Sequence, residues 1–160
     1  MEEDDQGDID LSNTLFMWLS QVFEHLNHEL AYDFTHELYE RYPSPTTSGF
    51  LGIGHLYLER PSTALPLLAE GYRSNHYFGL EYAHCLWGLD ERAEALTVLG
   101  ECVITHPQEI DYRRLFVFML IEDGDGEAAY QQFLELAQLA PELEELDDLH
   151  ERITEIITIH

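Results

Sequence analysis

Histidines and carboxylates crowd one short stretch of this chain, where His25, His28, Glu29, Asp33 and His36 follow closely on one another. On a helix, His25 with Glu29 and Asp33 with His36 would each share a face, the placement that metal ligation or acid–base chemistry requires. The pattern stops short of a site, because His28 falls where a turn is expected and no HExxH or comparable motif accompanies it. Asp123-Gly124-Asp125-Gly126 resembles the start of a calcium loop but lacks the remaining ligands. Carboxylate pairs abound in so acidic a chain, so none stands out as a tuned dyad, and no Ser/His/Asp motif or phosphate-binding glycine loop is recognisable. Cys85 and Cys102 lack the paired spacing of a zinc or redox motif and are expected to be two buried, reduced thiols. Binding, not catalysis, is the expected activity, with no catalytic residues, no cofactor and no metal.

The elements that would position a binding surface are set by a repeat. Ala31, Ala64, Ala95 and Ala129 recur at intervals of 33, 31 and 34 residues, each inside a helical pattern. A period near 34 resembles tetratricopeptide (TPR) arrays, in which pairs of antiparallel helices stack side by side. The small residue belongs where two helices cross, since a larger side chain would hold the backbones apart. The resemblance implies an all-α, right-handed TPR solenoid of about four helix-turn-helix repeats, at about 12–44, 45–75, 76–109 and 110–143. The second is about three residues short, either between its helices or at its exit. Pro43, Pro107 and Pro141 stand where helices should stop, and Pro61-Ser62 where one should start. Pro66 is tolerable only within the first turn or so. Leu143, Leu146, Leu149, Ile153 and Ile156 form one stripe of a capping helix over 142–157, which covers the last apolar face.

Composition narrows the function further. At 160 residues and 45% hydrophobic content the chain can bury a core, and 11–160 reads as one domain behind an acidic disordered tail over 1–10. The formal charge is −25 and none of the seven basic residues is a lysine. Nucleic acid is excluded as a partner, because phosphate contacts need clustered cations and only Arg113 and Arg114 are adjacent. The apolar runs are too short to span a bilayer and the N-terminus is acidic, so no membrane insertion and a cytoplasmic location are expected. Such acidity would steer a basic partner, or would be a halophile's adaptation; the sequence leaves both open.

In a TPR array the first helix of each pair lines the concave surface. Its inward positions here include Phe16 and Phe23, then Ile53, Leu56 and Tyr57, then Tyr77, Leu80, His84 and Trp87, and finally Arg114, Phe118 and Ile121. This apolar and aromatic set would suit a hydrophobic segment of a protein or peptide client. The same residues at helical spacing would equally serve a core, and an error of one residue in register would turn half of them inward.

Phe50-Leu51-Gly52-Ile53-Gly54-His55-Leu56, followed by Tyr82-Ala83-His84-Cys85-Leu86 and Glu91-Arg92-Ala93-Glu94-Ala95, resembles the TPR chaperones of bacterial type III secretion systems over roughly residues 30 to 105. That resemblance implies a cytoplasmic chaperone, a homodimer or heterodimer, whose groove holds a hydrophobic segment of an export client until secretion. The alternative is a TPR scaffold or adaptor bound permanently in a multiprotein assembly.

Overall fold

The computed structural model describes residues 17, 21, 23, 25 and 27–159. Among them every regular element is helical: α1 His28–Arg41, α2 Pro45–Tyr57, α3 Pro61–Ser74, a 3-10 turn His76–Phe78, α4 Gly79–Gly88, α5 Arg92–Thr105, α6 Ile110–Asp123, α7 Gly126–Leu139 and α8 Leu146–Ile159. The fold is all-α and built from helical repeats, as the alanine period requires. The expected tail over 1–10 lies outside the described residues, as do Phe16, Trp18, Leu19 and Val22.

The repeat is visible in the helices themselves. Each of α1, α3, α5 and α7 is 14 residues long. Ala31, Ala64, Ala95 and Ala129 are the fourth residue of these helices and are wholly buried. Each donates its amide to the carbonyl of the N-cap residue, at 2.9, 3.0, 3.1 and 2.9 Å respectively. The alanine therefore sits in the first full turn, where a methyl group is all that the facing helix leaves room for.

The turns repeat as well. Arg60 donates to the His55 carbonyl, Glu91 to that of Leu86 and Asp125 to that of Leu120, each reaching back five residues. This bond closes a Schellman motif, whose preceding residue must be left-handed. Those residues are Glu59 at φ 56°, Asp90 at φ 64° and Gly124 at φ 82°. Only the last is the residue type that adopts the conformation without steric cost. Side-chain caps start other helices: Asn27 accepts from the Leu30 amide at 2.8 Å, Asp125 accepts from that of Ala128 at 3.0 Å, and Ser44 with Thr47 forms a capping box ahead of Pro45.

The shortened repeat loses its residues at the exit. Only Asn75 separates α3 from the 3-10 turn, whereas residues 106–109 connect α5 to α6. Pro66 is the sixth residue of α3 and so falls in its second turn, leaving the Ser62 carbonyl without a helical donor. The last helix begins at Leu146 rather than Glu142. Beyond Pro141 the chain makes short-range bonds instead, from the Leu143 amide to Ala140 and from Leu146 to Leu143.

The chain divides into two compact units, residues 1–75 and 76–160. In the first, α2 packs between α1 and α3. Two glycines allow this: a Cβ on Gly52 would lie 2.7 Å from Leu68 Cγ, and one on Gly54 would lie 2.5 Å from Thr35 Oγ1 and 3.2 Å from Tyr32 Cα. Gly52 thus faces α3 and Gly54 faces α1, which explains the Gly-Ile-Gly spacing on a single helix. Ser48, buried on α2, ties α3 by donating to Glu70 Oε2 at 2.8 Å.

In the second unit α5 packs on α4 and α6, α7 packs on α6 and α8, and α6 also touches α4 and α8. Val117, Leu120, Ile121, Ala129, Phe133, Leu136, Leu149 and Ile153 form its core between α6, α7 and α8. No described helix is long and apolar enough to cross a membrane.

Candidate functional site

Three helices of the second unit converge on a cleft of about 460 Å³, lined by Leu80, His84, Asp111, Arg114, Leu115, Phe118, Glu145, Asp148, Leu149 and Arg152. Helical geometry dictates this set. Leu80 and His84 are one turn apart on α4. On α6, Asp111, Arg114, Leu115 and Phe118 follow the i, i+3, i+4, i+7 rule of a single face, and Glu145, Asp148, Leu149 and Arg152 repeat that spacing at α8. The stripes mix apolar and charged side chains, so the lining combines an apolar floor of Leu80, Leu115, Phe118 and Leu149 with charged side chains around it.

The two arginines are held within the walls. Arg114 pairs with Glu145 and, at 3.3 Å, with Asp111. Arg152 pairs with Glu122 and lies over the Phe118 ring, 5.4 Å from its centroid. Phe118 keeps 42% of its surface exposed. Partial burial of the His84 ring disfavours its charged form and lowers its pKa from the ordinary value.

The expected groove residues divide into three groups. Leu80, His84, Arg114 and Phe118 come together in this cleft. Phe23, Ile53 and Ile121 do not reach a surface, and here the structure differs from the expectation. Phe23 stacks on Phe50 with centroids 6.2 Å apart, and Ile121 belongs to the core cluster. At Ile121 the burial comes from the core that α6, α7 and α8 form together.

The third group is half-buried and engaged. Tyr57 meets the Phe23 ring at 5.6 Å and the His28 ring at 5.1 Å, and Leu56 precedes it on α2. Tyr77 meets His106 at 5.2 Å. Trp87 carries the Arg92 guanidinium at 4.8 Å, and Arg92 also pairs with Asp90 at 3.1 Å. Within the second unit the cleft is therefore lined by charged as well as apolar side chains. Glu145, Asp148 and Arg152 were not anticipated. Their signal was the spacing of scarce Arg152 four residues after Asp148, parallel to the apolar stripe that marks the helix.

The histidine cluster resolves into ring contacts. His28 opens α1 against Tyr57, and His36 lies 5.7 Å from Tyr32. Among the described residues no group of three or more His, Cys, Asp or Glu side chains could hold a metal ion. Both cysteines are buried thiols outside any disulfide, and burial raises the Cys85 thiol to about 11.

Comparison with solved structures places this architecture. MamA from Desulfovibrio magneticus RS-1 superposes with a TM-score of 0.68 at 16% identity, over 92% of this chain and 91% of that one. YrrB, a TPR protein with an unusual peptide-binding site, gives 0.62 at 18% identity over 95% and 86%. MamA AMB-1 gives 0.59 at 18% identity over 71% of this chain, which spans 64% of that one. The fold is that of a TPR array. No protein-family model matches the sequence, and no curated protein does.

Proposed function

We propose that this chain is a protein-binding TPR module whose second unit takes a segment of another polypeptide in the cleft between α4, α6 and α8. The observation that carries the reading is the convergence of three helical stripes on one apolar floor, which includes the exposed ring of Phe118. An aromatic ring on a rigid helix supplies contact area with little loss of side-chain freedom on binding. The peptide-binding site named for YrrB lies on the same fold, which supports binding as the use of such a surface.

The narrower form of this reading is a chaperone that shields a hydrophobic segment of a secretion-system client in the cytoplasm, as the resemblance at residues 50–56 and 82–95 implies. Co-expression with the products of neighbouring genes, followed by identification of what copurifies, tests both levels. Leu80→Ala and Phe118→Ser should each reduce capture of the copurifying protein while helix content is unchanged. Undiminished capture by both variants would overturn the assignment of the cleft. A client released on transfer to its acceptor supports the chaperone, whereas an inseparable stoichiometric complex indicates a permanent scaffold.

A further inference from the structure

The charge inside the cleft specifies its occupant more closely than its shape does. Asp111, Glu145 and Asp148 line it and Glu122 borders it through Arg152, which makes four carboxylates against two guanidiniums. Arg114 is already clamped between Glu145 and Asp111, and Arg152 is paired with Glu122. Asp148 is exposed and makes no ion pair among the described residues. The cleft thus presents apolar surface next to uncompensated negative charge.

The chain has no lysine, and its other five arginines, all among the described residues, lie outside the lining of the cleft. Each of the seven arginines has an internal partner: Arg41 pairs with Glu37, Arg60 lies over Tyr32, and Arg73 donates to the Ala69 carbonyl. Arg92 covers Trp87, and buried Arg113 donates to Gln132 Oε1 at 2.7 Å. The remaining two are those of the cleft. With 32 acids, no lysine and every arginine engaged, the field outside the protein is negative.

We infer that the cleft binds a cationic amphipathic segment of a partner protein, with an aliphatic or aromatic side chain on the Leu80, Leu115, Phe118 and Leu149 floor and a lysine or arginine at Asp148. This inference rests on the protein-binding reading and adds the chemistry of the partner. Charge complementarity also argues against the two occupants that the chain itself could supply. The first ten residues carry six acids, and a second copy carries the same net charge of −25. Both would be repelled from this wall, whereas a basic segment would be drawn to it and held by burial of its apolar anchor.

Selection of a random peptide display library on the immobilised full chain at about 0.15 M salt tests the inference. The enriched peptides should combine apolar anchors with lysine or arginine and be poor in acids. Their affinity should fall about tenfold or more with Asp148→Arg, should fall likewise with Phe118→Ser, and should be nearly unchanged with Glu135→Arg, an exposed acid on α7 outside the cleft. Far-ultraviolet circular dichroism verifies that each variant is folded. Enriched peptides that need Phe118 but are neutral or acidic would overturn the charge inference and leave the protein-binding reading intact. Cationic peptides that bind all three variants equally would show attraction to the acidic surface in general and overturn it too. Absence of any enriched peptide would overturn both.

Discussion

Glu81 occupies the first turn of α4 with one carboxylate oxygen, Oε2, buried and without a hydrogen-bond partner. Desolvation raises its pKa from 4.5 to about 7, and a bond to its own backbone amide offsets only part of this. The same burial, together with the nearby Cys102 thiol and Glu81 itself, pushes the Tyr112 hydroxyl upward. Since the folded pKa exceeds the unfolded one, the stability Glu81 contributes is fully present below pH 4.5 and is lost as pH rises through 7. A displacement from 4.5 to about 7, at 1.36 kcal/mol per pKa unit, amounts to ~3 kcal/mol. Glu81→Gln imitates the protonated acid and removes this dependence. At pH 8 the variant should be more stable than wild type by up to that amount, and at pH 4.5 the two should nearly coincide. Urea unfolding followed by circular dichroism reads the difference as a midpoint shift of up to about 1.5 M at pH 8, for a slope of about 2 kcal/mol/M. Taking the difference cancels the self-repulsion of the other acids, which both proteins share. A midpoint difference that stays constant from pH 5 to 8 would show that the carboxyl is ionised throughout and refute the argument.

Four further outcomes follow from the backbone. Gly54→Ala should cost about 1–2 kcal/mol in thermal or urea unfolding, because the methyl would meet the backbone of α1, while Gly88→Ala, with nothing within 4 Å, should gain up to ~1 kcal/mol. Equal effects at the two positions would remove the case for close packing of α2. Glu59→Gly should stabilise by roughly 0.5–1 kcal/mol, relief of left-handed strain outweighing the entropy of the added glycine. Gly124→Ala, at the corresponding turn, should destabilise by about 1 kcal/mol, and the opposite sign in either measurement would contradict the assigned turn conformation.

The alanine period, the prolines at helix ends and the Asp-Gly turn marked out α1 to α7, because these signals act within a few residues of the backbone they shape, whereas the start of α8 lay four residues later than its apolar stripe suggested. Ala95 and Ala129 lie 34 residues apart, and both occupy the same turn of a 14-residue helix. Spacing also grouped Leu80 with His84 and Arg114 with Phe118, since residues three or four apart share a helical face whatever surrounds them. What covers such a face is a separate matter, decided by elements distant in the chain. Ile121 and Phe118 lie three residues apart on α6, yet the first is buried in the core with α7 and α8 while the second stays partly exposed beneath Arg152. The charged wall likewise exists only because α8 returns to α6 and brings Glu145 to Arg114, 31 residues earlier. Local periodicity thus determined the helices and their faces. Long-range packing alone decided which face became core and which became cleft, because burial depends on the neighbour that arrives and not on the residue that waits for it.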